Sequence, residues 1–213
     1  MNKVILNANH LVINALTAIK NKNYIEAKNL LEKAISIQPE MFEANHNLAI
    51  LNFQLGNLDS SILYFEKSRK IKPKFSQVYF NLGLAYDRKK NIDLAIINFK
   101  KVIKLDPNNS IAFYNIGHLY KAKLEPIKAE EYLSKSLDLN PNFIKTYDDL
   151  FSLYDQSNQI EKFSNLLDKV KKTLSEKDLV SFYEAVFTYN QKKFKQTIQI
   201  LENIDLKENY VAH

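Results

Sequence analysis

Between residues 76 and 109 the apolar positions fall into two short stripes. Tyr79, Leu82, Gly83 and Tyr86 stand at i, i+3, i+4 and i+7, the spacing of one buried helix face. Leu94, Ala95, Phe99 and Val102 form a second stripe after a polar break, Asp87-Arg88-Lys89-Lys90-Asn91. Asp106-Pro107-Asn108-Asn109 then stops the second helix, because proline cannot continue it and forces the preceding residue out of the helical region. The pattern predicts a helical hairpin. A single hairpin cannot bury both of its faces, so such units must stack.

The neighbours recur at a fixed spacing. Pro39, Pro73, Pro107 and Pro141 lie 34 residues apart, and Leu48, Leu82 and Ile116 run in step with them. So do Ala49, Gly83 and Gly117, and Leu31, Phe65 and Phe99. The next aromatic, Tyr132, falls one residue short, which makes Leu133 the strict equivalent of Phe99. With only three glycines in the chain, Gly83 and Gly117 mark places where two helices approach too closely for a side chain.

These residues resemble the tetratricopeptide repeat, whose unit reads W-x2-L-G-x2-Y, then A-x3-F, then P. Tyr79, Leu82, Gly83, Tyr86, Ala95, Phe99 and Pro107 match it best; Phe113, Ile116, Gly117, Tyr120, Ala129 and Pro141 follow. In 42–75 the fit is looser, with Asn45, Asn52 and Ser61 where apolar residues are expected. The resemblance implies an all-α, right-handed superhelical solenoid of about six helical hairpins. Residues 1–213 are read as one domain with repeats at 8–41, 42–75, 76–109, 110–143, 144–177 and 178–211, the last two degenerate and without the closing proline.

Composition narrows the function. Absence of cysteine excludes disulfides, thiolate metal sites and a cysteine nucleophile, and fits a reducing cytoplasm. The apolar run at the N-terminus is too short for a signal peptide, and no stretch approaches the roughly 20 apolar residues that span a bilayer. A soluble, cytoplasmic protein is expected.

Net charge is +6, and the excess sits in residues 42–109, with 11 Lys/Arg against 6 Asp/Glu. Residues 110–213 carry 14 against 15. Arginine is limited to Arg69 and Arg88, which argues against specific nucleic-acid recognition. Lys67, Arg69, Lys70, Lys72, Lys74, Lys100, Lys101 and Lys104 lie toward the ends of second helices, where cations complement the helix dipole.

No catalytic constellation is written in the chain. His10, His46, His118 and His213 are unpaired at helical spacing, so no metal cage is expected. There is no Gly-rich phosphate loop, nucleophile elbow or H-E-x-x-H. The chain is expected to act without cofactor or metal, and not as an enzyme.

What remains is binding. Asn47, Asn81 and Asn115 recur at 34 residues, and Asp149 continues the series. By resemblance this position faces the inner groove, where an amide can both donate to and accept from the backbone of an extended peptide. It could equally support the hairpin. By the same resemblance His46, Phe80, Tyr114, Asp87, Arg88, His118 and Lys121 are expected on the groove, with Phe80 and Tyr114 against partner side chains or against each other. Val12 and Leu16 stand where a carboxylate clamp would want Lys and Asn, so a chaperone-tail adaptor is disfavoured.

The expected function is a protein-interaction scaffold holding a partner peptide or protein. The alternative is a recruiting module of a larger transferase, of glycosyl- or sulfotransferase type. Residues 206–213 are too few for a good capping helix, so self-association or an adjoining domain is expected at that end.

Overall fold

The computed structural model describes residues 2–174 and 177–204. Twelve helices and no strand occur among them. Two compact units are present, residues 1–112 and 113–213. In the first, α1 (Asn2–Lys20) folds on α2 (Tyr24–Ile37), α3 (Phe42–Gln54) on α4 (Leu58–Ile71), and α5 (Ser76–Arg88) on α6 (Ile92–Leu105). Most of α7 (Ser110–Ala122) belongs to the second unit, followed by α8 (Pro126–Leu139), α9 (Ile144–Gln156) and α10 (Ile160–Thr173). The last hairpin is α11 (Lys177–Asn190) with α12 (Phe194–Glu202). His213 and the segment 206–213 lie outside the described residues.

Every hairpin turns in the same way. Lys22, Gly56, Lys90, Leu124, Asn158 and Lys192, spaced at 34, all have positive φ, between 53° and 79°. The next residue bonds back to the helix it has left: Asn23 N–H to the Ala18 carbonyl, Asn57 to Asn52, Asn91 to Tyr86, and so on to Lys193 and Thr188. This left-handed ending satisfies carbonyls that a helix end would otherwise orphan. That same residue is then the N-cap of the second helix, and in Asn23 and Asn91 the side-chain oxygen accepts from the backbone three residues on.

Between hairpins the prolines act as predicted. Gln38, Lys72, Asp106 and Asn140, each immediately before a proline, leave the helix with φ between −124° and −142° and ψ between 77° and 89°. That is the steric effect of the following ring.

The cores follow the stripes. Leu31, Leu48 and Leu51 pack together near the start of the first unit, and Ala49, Phe65, Val78 and Leu82 further along it. In the second, Leu133, Tyr147, Leu150, Phe163 and Leu167 share one cluster. One stripe needs correcting. Ile96 is buried on α6 whereas Leu94 is exposed, because Ala95 and Phe99 define the inward direction.

The three misfit residues of 42–75 are all buried. Asn45 donates to the carbonyls of Pro39 and Met41, and Asn52 to that of Leu48, so both amide nitrogens are satisfied by backbone, while the Asn45 Oδ1 is buried without a partner. Ser61 is buried with its hydroxyl unpartnered.

Candidate peptide-binding site

In the first unit the expected binding residues lie on α3 and α5. Asn47 is half-buried, and its Nδ2 donates to the Glu43 carbonyl at 2.8 Å. One amide hydrogen is thus spent inside its own helix. Asn81, also half-buried, accepts from Gln77 Nε2 at 3.1 Å, which occupies its oxygen and leaves its own amide hydrogens.

His46 is enclosed by rings. It stacks on Phe42 at 5.1 Å between centroids, and Phe65 and Phe75 approach edge-on at 5.6 and 6.0 Å. Its Nδ1 is buried without a hydrogen-bond partner. Burial lowers the imidazole pKa, more than the nearby Glu43 carboxylate raises it. Phe75 was not anticipated; it follows Pro73 by two residues, as Phe143 follows Pro141, and that shared spacing was the available signal.

Phe80 meets Phe99 edge-on at 5.5 Å, within its own hairpin. Arg88 donates from a guanidinium nitrogen to the Phe53 carbonyl at 3.0 Å and lies over the Phe53 ring. It therefore ties α5 to the end of α3, where a cation complements the exposed carbonyls. Asp87 is half-buried beside it in sequence.

In the second unit the sequence candidates converge. Asp149, 7% exposed on α9, receives His118 Nδ1 at 2.7 Å and Lys121 Nζ at 2.5 Å, both from α7. Burial is the largest influence and pushes the carboxyl up, but the hydrogen bonds from His118 and Lys121 together hold it below its usual value. An ionised carboxylate only accepts, so the His118 Nδ1 carries the hydrogen.

Tyr114 packs edge-on against Phe143 at 4.9 Å and near His118 at 5.8 Å. Its phenol is pushed well up by burial, and further by the charges of Asp149 and Asp148. Asn115 is half-buried on the same helix. Asp148 accepts from the Tyr183 hydroxyl of α11 at 2.5 Å.

Among the described residues no three His, Asp or Glu side chains gather as metal ligands, and no helix is long and apolar enough to cross a membrane.

Helical hairpins repeating every 34 residues, with polar side chains presented from their first helices, define a class of repeat proteins that bind other polypeptides. Models of the tetratricopeptide repeat match residues 18–82, 76–109 and 98–131. The chain belongs to the tetratricopeptide-repeat family, a family of protein-interaction scaffolds.

Its fold is shared by solved structures of low sequence identity. A tetratricopeptide repeat protein from Parabacteroides merdae is 14% identical, covering 93% of this chain and 79% of that one with a TM-score of 0.75. PilF of Pseudomonas aeruginosa is 18% identical over 93% and 90%, with a TM-score of 0.71. YrrB, described as a TPR protein with an unusual peptide-binding site, is 17% identical over 81% and 89%, with a TM-score of 0.62. No curated protein matches the chain in sequence.

Proposed function

We propose that the chain is a non-catalytic scaffold that receives an extended partner segment along the first helices of its hairpins. The observation that carries this reading is the half-buried amide at Asn47 and Asn81 of the first unit, one repeat apart; Asn115 holds the corresponding place in the second unit. Asn81 keeps its donors, and Asn47 keeps its oxygen, so neighbouring repeats offer complementary partners to a peptide's carbonyl and N–H groups. In the second unit Tyr114 and the His118–Asp149–Lys121 cluster flank Asn115, and Asp149 serves to hold the His118 and Lys121 side chains in place. Phe80 and Arg88 stiffen the first-unit face rather than reach out from it. The peptide-binding description of YrrB supports the same kind of use.

The test is capture of partners from a soluble extract of the native host by wild type and by an Asn47→Ala/Asn81→Ala/Asn115→Ala variant. The variant should lose specific partners while keeping its helical circular dichroism. Equal capture of every partner by both proteins refutes this reading.

A further inference from the structure

We propose that a basic cleft on the second helices of the first unit binds an acidic segment of a partner protein. This surface is independent of the first-helix face argued above. Arg69 of α4, Tyr79 of α5, and Ile97, Lys100, Lys101 and Lys104 of α6 line a cleft of about 420 Å³. That volume is in the range of sites that hold a ligand side chain or small molecule. None of the lining residues is acidic.

Helix stability explains only part of the cations. Arg69 lies in the last turn of α4 and Lys104 in that of α6, where they complement the dipoles, but Lys100 and Lys101 stand outside it. Lys101 and Lys104 stand at i and i+3, a spacing at which like charges repel. Asp93, in the first turn, is the single acidic residue of α6. Arg69 is partly neutralised by Glu66 at 2.5 Å. The Lys101–Lys104 pair therefore costs the folded state a little, and an incoming carboxylate relieves that cost.

The cleft also offers apolar contact. Ile97, 60% exposed beside the lysines, supplies it, whereas the Tyr79 ring is already covered by Lys101, whose Nζ lies 5.7 Å from its centroid. An exposed isoleucine among lysines suits a segment in which carboxylates alternate with aliphatic side chains. Nucleic acid fits less well. Tyr79 is buried and offers no stacking face, and the one arginine is engaged by Glu66.

The test uses the full chain and a fluorescent synthetic peptide of alternating glutamate and leucine, followed by anisotropy at low salt. A single-stranded oligonucleotide of equal charge is measured in parallel. Lys101→Glu/Lys104→Glu should weaken the peptide about tenfold, whereas Lys20→Glu/Lys33→Glu, with the same change of net charge, should weaken it less than about twofold. Ile97→Asp should weaken it as well, and Lys101→Gln/Lys104→Gln serves if the reversal disturbs folding. Asn47→Ala/Asn81→Ala should leave the peptide affinity unchanged, which separates this surface from the first-helix face.

Equal losses for the two lysine pairs would reduce the attraction to overall charge and overturn the proposal. So would tighter binding of the oligonucleotide with indifference to Ile97→Asp, or salt-sensitive dimerisation of the chain alone through these lysines. Absence of peptide binding at low salt overturns it outright.

Discussion

The Tyr79 hydroxyl donates to the carbonyl of Pro73 at 2.8 Å, joining the body of α5 to the turn that delivers it. Tyr147 and Pro141 make the same bond at 2.8 Å two repeats later, and Asn45 makes it with Pro39 at 2.9 Å. Phe113, at the corresponding place, has no hydroxyl to offer. Tyr79→Phe is expected to cost about 1 kcal/mol, the usual net worth of such a bond, with Tyr147→Phe similar. Urea denaturation of each variant measures it; unchanged midpoints would show the bond to be idle.

Gly83 leaves no room for a methyl group. A Cβ there would lie 2.7 Å from ring carbons of Phe99, and one at Gly117 would lie 2.7 Å from Leu133 Cγ. Gly83→Ala should destabilise by roughly 1–3 kcal/mol, the range for overpacked cores. Combined with Phe99→Ala, the loss should fall clearly short of the sum of the two single losses, because the truncated ring vacates the space. Additive losses in equilibrium unfolding would place the strain elsewhere.

Leu124 occupies the left-handed turn at φ 59° and is 85% exposed. Leu124→Gly removes the Cβ clash of that conformation while losing almost no packing. A gain of up to about 1 kcal/mol is expected, the relief being offset in part by glycine's greater freedom when unfolded. Gly56→Ala, at φ 79°, should shift stability in the opposite direction. Thermal melts of the pair decide this, and equal signs would refute it.

Acid should weaken the first unit through His46. Burial holds its pKa below 6.5, so the unfolded chain takes up the proton more readily. Stability contributed by the neutral ring is complete above 6.5 and is lost as pH falls from there toward the folded value. His46→Phe should flatten the melting temperature across that window. Asp149 works lower. Its lowered pKa gives stability that is full above 3.8 and is lost as pH falls through the folded value.

The repeat was legible because three requirements are local to the sequence: a helical stripe, a proline stop and a small residue at the crossing. Leu133, rather than the more conspicuous Tyr132, faces Gly117, as strict spacing demanded. The turns were less visible. Only Gly56 and Asn158 show residue types that favour positive φ, whereas lysine and leucine fill the other four places and draw their conformation from the hydrogen bonds around them.

The candidate site was legible in part. Asn47, Asn81, Asn115 and Asp149 could be aligned by counting, but not the partners of each. His118 and Asp149 are 31 residues apart, one repeat less one turn of helix, and their pairing depends on how α9 packs on α7. Asn45 looked like a flaw in the pattern, since composition alone does not reveal that its amide replaces a tyrosine hydroxyl at the same carbonyl.

The recurring left-handed seam has an evolutionary consequence. Because positions 22, 56, 90, 124, 158 and 192 share one backbone geometry irrespective of side chain, genetic crossover between any two of them splices compatible ends. An array of this kind can gain or shed a whole module in one recombination event, and so change how many contacts it offers without redesigning any of them.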